Sequence, residues 1–212
     1  MIAKLLTECV GTFFLLLTVL LAADPVGGVG PLAPLAVGAT LIAMIYMGGS
    51  ISMAHYNPAV TLGFLINGTI KPLPAAGYVV AQLVGAAAAC AAFAVSGRTA
   101  WAPAPRADAS PLAAWGAEIL FTFALMLVIL NVAASSKTRG NQFYGVAIGM
   151  AVIGGALCCG GLSGAAFNPA VGAVPNLLVI NGISNLPLYI AAPCLGSALA
   201  ALFFRLQHRS ES

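Results

Sequence analysis

The sequence predicts an all-α membrane protein of six transmembrane helices and two re-entrant half-helices, arranged as an inverted 3+3 repeat. Three observations predict it: a composition almost free of charge, six apolar stretches long enough to cross a bilayer, and a short motif that recurs at the same place in each half. Of the 212 residues, 61% are hydrophobic and 6% charged. A soluble domain carries about 25% charged residues, so this chain cannot cover itself with a water-compatible surface, and most of its exterior faces lipid. The net charge is +3 and the basic residues are scattered singly, which leaves no basic stripe for nucleic acid. Cys9, Cys90, Cys158, Cys159 and Cys194 lie in or beside apolar segments, without metal-ligand spacing or a disulfide framework, and read as small buried hydrophobes. No nucleophile–base arrangement stands out, so no catalytic residue, metal or cofactor is expected.

A bilayer core needs about 20 apolar residues per helix. Residues 3–23, 34–52, 74–95, 112–134, 142–160 and 186–206 meet that length. The first of these is too long for a cleaved signal peptide and lacks a clear cleavage site. Two further apolar pieces are too short to cross. One follows Asn57 and stops at Asn67-Gly68; the other follows Asn168 and stops at Asn181-Gly182. Asn-Gly is a turn and helix-stop signal, so each piece is expected to be a half-helix of two or three turns. If the six spans alternate, Lys4, Lys71, Lys137, Arg139, Arg205 and Arg209 fall on one face and only Arg98 and Arg106 on the other. The excess of basic residues marks the cytoplasmic side, which places both termini there and predicts a multi-pass protein of the cell membrane.

Asn57-Pro58-Ala59-Val60 recurs as Asn168-Pro169-Ala170-Val171, an offset of 111 residues (57 to 168). The same offset maps Gly38 onto Gly149, Tyr78 onto Tyr189 and Gly85 onto Gly196, and an offset of 110 maps Glu8 onto Glu118. The two copies run approximately over 1–97 and 112–208, joined by an outer loop, 98–111, within one channel-like domain. Each contains three spans, an odd number, so the second copy is upside down relative to the first. Inverted repeats place a solute site near the midplane at their interface.

The motif suits that position. Proline is favoured as the first residue of a helix, where its missing N–H costs nothing, and asparagine before it is a strong N-cap. When the side-chain carbonyl caps, the amide NH₂ is left pointing off the helix end, free to donate. Two such ends meeting at mid-membrane would each present about half a positive charge, and a small Ala lets them approach. A solute oxygen would then accept from both Asn57 and Asn168, while cations are repelled. Residues 53–56 and 164–167 are expected to expose carbonyls as a ladder of acceptors, which the membrane tolerates only where backbone is buried or lines a wet cavity.

With two copies of Asn-Pro-Ala in register over both halves, an acidic residue in the first span of each, and the context Ala54-His55-Tyr56-Asn57-Pro58-Ala59-Val60, the chain resembles the aquaporins, or major intrinsic proteins, over essentially its whole length. The resemblance implies a passive pore for water or small neutral solutes and a homotetramer in which each subunit carries its own pore. Glu8 and Glu118 stand inside spans, where a carboxylate is expensive unless paired. Their occurrence once per repeat favours bracing of the re-entrant backbone over proton relay, and the resemblance points the same way. His55 is expected to line the pore or brace its loop rather than gate it, and His208 to sit solvated in the tail. Gly38, Gly145 and Gly149 read as close-crossing positions between helices.

The chain departs from the family at the outer constriction. Most aquaporins place an Arg directly after the second Asn-Pro-Ala; here that residue is Val171. By the family's spacing the other constriction positions are Val37, Ala156 and Ala165, all small and apolar where water-selective members carry aromatic and His side chains. The constriction should therefore be wider and without a fixed cation. That argues against strict water selectivity and suits glycerol, urea, ammonia, hydrogen peroxide or undissociated metalloid acids. The outer loop, with Arg98, Trp101, Pro103, Pro105 and Arg106, is expected to be solvated or interfacial; the competing reading folds it into the mouth with an Arg restoring the missing charge. Two other functions fit parts of the pattern. A non-conducting structural membrane protein would give only lipid background in shrink–swell assays. A coupled transporter would need ionisable groups, and the spans offer only Glu8 and Glu118.

Overall fold

The structure is a computed structural model describing residues 1–180 and 182–208. Among the described residues eight α-helices follow one another: α1 (Ile2–Ala22), α2 (Ala33–Ser52), α3 (Pro58–Asn67), α4 (Pro72–Val95), α5 (Pro111–Ile129), α6 (Tyr144–Ser163), α7 (Pro169–Asn176) and α8 (Leu186–Gln207). Six are long and apolar enough to cross a membrane, while α3 and α7 are not. No strand occurs among the described residues. Arg209 and Asn181 lie outside the described residues.

The helix starts follow local chemistry. Proline opens α3, α4, α5 and α7, the position where its fixed φ and missing donor fit best. Ser110 caps α5, its Oγ accepting the Ala113 N–H at 3.1 Å. The ends differ more from expectation. The α3 half-helix stops at Gly68, in the left-handed conformation with φ 84°, as Asn67-Gly68 predicts. The α7 half-helix was expected to continue to residue 181 but ends at Asn176. Pro175 supplies no N–H to the last turn, and Asn176 Nδ2 donates to Gly172 O at 2.7 Å, a side-chain bond at the helix end. Similarly, the span predicted over 112–134 is α-helical only to Ile129, and 130–134 form a π-helical turn. There Asn131 Nδ2 bonds back to Leu127 O at 2.9 Å, competing with the regular ladder. The carbonyls this releases are capped by Thr138, on Asn131 O, and Asn141, on Val132 O.

The two halves interlock rather than sit side by side. The α1 helix packs on α2 and α4, α5 packs on α6 and α8, and α2 meets α6 across the halves. Each half-helix inserts against a long helix of the other half, α3 on α8 and α7 on α4. Close crossings occur where glycine leaves no side chain. A Cβ on Gly85 would run into the Cys9 carbonyl oxygen, and one on Gly196 into that of Ile119. Gly38 and Gly149 face each other's carbonyls, at 3.1 and 2.9 Å from where a Cβ would stand, and Gly145 accommodates the Tyr46 ring.

Gly85→Val and Gly196→Val should each lower the thermal midpoint of the detergent-solubilised protein, at the cost of about 1–3 kcal/mol usual for overpacking. Gly116→Ala, which meets nothing within 4 Å, serves as the control and should melt with the wild type.

Candidate pore

Between α2 and α3, and again between α6 and α7, the chain re-enters the fold as five non-helical residues, 53–57 and 164–168. Left-handed φ values recur in register: Met53, Ala54 and Tyr56 at 70°, 51° and 49°, and Gly164, Ala165 and Phe167 at 83°, 50° and 49°. For non-glycine residues this conformation costs about 1–2 kcal/mol each, and it persists because the surroundings impose it. Glu8, fully buried, accepts the His55 N–H on one carboxylate oxygen at 2.9 Å and the Tyr56 N–H on the other at 2.7 Å. Glu118, equally buried, accepts the Ala166 and Phe167 N–H groups at 3.0 and 2.7 Å. Ser52 and Ser163 donate to the same carboxylates at 2.6 and 2.7 Å. Each also accepts a loop N–H, from Ala54 and Ala165 respectively, at 3.1 Å. The Tyr78 and Tyr189 hydroxyls close the pattern on Ser52 O and Ser163 O.

At the tips, Asn57 Oδ1 accepts the Ala59 N–H at 2.8 Å and that of Val60 at 3.4 Å, and Asn168 Oδ1 accepts that of Ala170 at 2.9 Å. Both amides then cross to the other loop. Asn57 Nδ2 donates to Phe167 O at 2.8 Å and Asn168 Nδ2 to Tyr56 O at 2.9 Å. Of the carbonyls expected to form a ladder, Tyr56 O and Phe167 O are each bound by an asparagine amide. Each NH₂ carries two hydrogens, so one on each asparagine remains beyond the cross-bond. Ala59 and Ala170 are fully buried where the tips meet.

A cavity of about 1090 Å³ runs past both asparagines. Its wall includes Pro31 and Trp101 toward one face and Ser135, Arg139 and Asn141 toward the face that carries both termini. His55, Val37, Ala156, Ala165 and Val171 all line it, whereas Glu8 and Glu118 stand behind the loops. The His55 ring stacks on Phe64 at 4.4 Å, meets Tyr78 edge-on at 5.0 Å, and places Nδ1 3.1 Å from Thr61 Oγ1. Val60, the repeat mate of Val171, lines the cavity too; the 111-residue offset was signal enough to find it.

The outer loop differs from expectation. Trp101, Ala102, Pro103 and Ala104 line the cavity, so this part folds over the mouth rather than out into solvent. Neither arginine follows it. Arg98 Nη1 pairs with Asp24 Oδ2 at 3.0 Å and also donates to Leu21 O, and exposed Arg106 pairs with Asp108. Trp101 Nε1 donates to Leu20 O at 3.0 Å, Arg106 N to Leu162 O, and Asn176 Nδ2 to Pro103 O at 2.9 Å. His208, expected to be solvated, is half-buried, its Nε2 3.3 Å from Asn131 Oδ1 and its ring over Phe204.

A family model described as "Major intrinsic protein" matches residues 1–204. The chain belongs to the major intrinsic protein family. It is 33% identical over 214 residues to "Aquaporin NIP1-1" of Zea mays, covering 97% of this chain and 74% of the relative. It is 35% identical to "Glycerol uptake facilitator protein-like 6" of Lactiplantibacillus plantarum, covering 96% and 97% of the two chains. In structure it superposes on the aquaglyceroporin from Plasmodium falciparum with a TM-score of 0.81, covering 96% of this chain and 95% of that one at 23% identity. The chain is thus an integral multi-pass membrane protein of a channel family for water and glycerol-type small solutes, not of a family of enzymes. Within this major intrinsic protein the side chain after the second Asn-Pro-Ala, Val171, is 4% exposed and apolar, and among the described residues the one arginine that lines the cavity is Arg139, toward the face of the termini.

Glu118→Gln can accept on only one side-chain atom, so it strands one of the Ala166 and Phe167 N–H groups. A buried unpaired donor costs about 1–3 kcal/mol, to be read as a lower thermal midpoint, with Glu8→Gln behaving alike. The Asp24 carboxyl is held below the ordinary carboxylate range, chiefly by the Val26 backbone N–H, with the Arg98 guanidinium adding to it. Because the folded value is the lower one, this anchor is present above the unfolded value, about 3.9, and is lost as pH falls through the folded value. Trp101 emission should therefore stay constant between about pH 5 and 8 and shift only below about pH 4. Asp24→Asn should show the shifted emission already at neutral pH.

Proposed function

We propose that this chain is a passive channel for small uncharged solutes, with a lumen that runs past Asn57 and Asn168 and selects only loosely by size. The observation that carries the reading is the pair of asparagine amides. After capping its own helix and crossing to the other loop, each retains one N–H beside the cavity. A solute oxygen accepting from both lies at the positive ends of α3 and α7, where a cation is disfavoured. Pro58, Ala59, Pro169 and Ala170 shape these tips, Glu8 and Glu118 brace the strained backbone behind them, and His55 borders the lumen on the side of the termini.

Val37, Ala156, Ala165 and Val171 form the selectivity filter in this reading. Without bulk or a fixed charge they admit solutes wider than water: glycerol, urea, ammonia, hydrogen peroxide or undissociated metalloid acids. The likeness to a protein named a glycerol uptake facilitator supports the wider class. The two inverted repeats build one transmembrane channel domain, the termini face the cytoplasm of a cell membrane, and four copies assemble with one lumen each.

A stopped-flow panel on proteoliposomes comparing water, glycerol, urea and ammonia tests the reading. Glycerol should pass well above the lipid background, and Val171→Arg should cut glycerol flux at least tenfold while sparing water. Flux at the lipid background for every solute would end the channel reading; unchanged glycerol flux in Val171→Arg would remove Val171 from the filter.

A further inference from the structure

The two halves repeat each other closely behind the pore loops, yet one polar cluster occurs in the first half alone. His55, Thr61 and Gln82 are joined by hydrogen bonds; at the 111-residue offset their mates are Ala166, Gly172 and Pro193, none of which carries a polar side chain. All three members are buried, Gln82 fully, and the bracing of Glu118 shows that a carboxylate can hold such a loop without them. The cluster therefore does something beyond bracing.

Its hydrogens can be assigned one by one. Gln82 Nε2 lies 2.7 Å from Glu8 Oε2 and 3.0 Å from Thr61 Oγ1. The amide cannot be turned over, because its oxygen would then face a carboxylate oxygen that already accepts the Tyr56 N–H. In the observed orientation Gln82 Oε1 is buried without a partner, so the fold leaves an acceptor unused in order to keep the NH₂ between Glu8 and Thr61. Thr61 Oγ1 thus accepts from Gln82. Its single hydrogen goes to Asn57 O at 3.1 Å, a group that can only accept. His55 Nδ1 lies 3.1 Å from the same Oγ1; Asn57 O also accepts the Thr61 backbone N–H, but the three contacts of Oγ1, with Gln82, Asn57 and His55, are all hydrogen bonds at once only if Nδ1 donates. A neutral imidazole with hydrogen on Nδ1 has none on Nε2. Nε2 has no protein partner, yet it is not among the sealed orphan atoms, which are Gln82 Oε1, Thr122 Oγ1 and Asn141 Oδ1 among the described residues. It opens on the cavity that His55 lines.

We propose that Thr61 and Gln82 are positioning residues that hold the His55 ring as its Nδ1–H tautomer and so present Nε2 to the lumen as a hydrogen-bond acceptor. The inference rests on the channel reading for its use. The midplane asparagines offer donors only; an acceptor next to them on the side of the termini receives the O–H or N–H of a small neutral solute whose heavy atom they hold. The opposite half has no side chain in this role and relies on loop carbonyls.

The test is ¹⁵N-histidine NMR of the full-length protein in bilayers, which distinguishes the two tautomers directly. The chain has two histidines, and His208→Gln assigns the signals. The wild type should show His55 protonated at Nδ1 and bare at Nε2. Thr61→Val and Gln82→Leu should move the population toward Nε2–H, and Thr61→Ser, which keeps the hydroxyl, should retain the wild-type signature. In proteoliposomes Thr61→Val and Gln82→Leu should lower glycerol flux about fivefold, the worth of one hydrogen bond, with Thr61→Ser recovering it. A wild-type His55 carrying its hydrogen on Nε2 overturns the proposal without any variant having to fold, as does a tautomer that neither Thr61→Val nor Gln82→Leu changes. The tautomer is read without transport, so a protein that conducts nothing overturns the channel reading and not the positioning of the ring.

Discussion

Backbone in a membrane interior can abandon the helix only where every exposed N–H finds an acceptor inside the protein, and the two re-entrant loops depend on that constraint. Here two carboxylates meet it. Glu8 and Glu118 each take two consecutive backbone N–H groups and a serine hydroxyl, and the serine takes a third N–H from the same loop. With its donors held from behind, the loop can keep residues such as Ala54, Tyr56, Ala165 and Phe167 at left-handed φ. These in turn aim each loop so that its last carbonyl reaches the opposite asparagine. The cross-bonds at the tips are therefore a consequence of the buried carboxylates 48 or 49 residues away along the chain, not an independent feature.

The pseudo-symmetry stops where the two faces need different things. The α3 helix has ten residues and a glycine stop; α7 has eight and ends on Asn176, whose side chain binds its own helix, Asn185 and Pro103 of the outer loop. That one asparagine couples the end of α7 to the loop over the mouth, alongside the anchors at Asp24 and Leu20. The opposite half instead carries His55, Thr61 and Gln82. One face is shaped by a strapped-down loop, the other by a polar side-chain cluster, around a midplane that is the same from either side.

Most of the fold was legible in the sequence because its signals are periodic or paired. Six apolar stretches give the spans, the doubled Asn-Pro-Ala gives the half-helices and the inversion, and Glu8 and Glu118 are visible as the only acids inside spans. Val60 could have been found by carrying Val171 back through the offset. What stayed hidden has no repeat mate or no local pattern. Gln82 is paired with Pro193, so the symmetry that exposes the rest conceals it. The early end of α7 depends on where the Asn176 side chain goes, and the π turn at 130–134 on bonds from Thr138 and Asn141. The fold of loop 96–110 over the mouth was undecidable from its prolines, because its position is set by acceptors on distant helices, Leu20 O and Leu162 O.

On the channel reading, replacement of the filter arginine by Val171 raises the question of what refuses ions. The outer arginines do not substitute for it: Arg98 is paired with Asp24 and Arg106 with Asp108, so neither adds net charge at the mouth. Three barriers remain. The helix ends behind Asn57 and Asn168 oppose a cation at the midplane from either direction, and Arg139 at the mouth beside the termini opposes one approaching from that face. The wall itself adds a third. Val37, Val60, Ala156, Ala165 and Val171 can strip water but cannot replace it, and a charge that loses hydration without gaining partners meets a far larger penalty than a neutral solute of the same size. A small apolar filter thus gives up discrimination between neutral molecules, which needed bulk and donors, while keeping discrimination against ions, which needs neither.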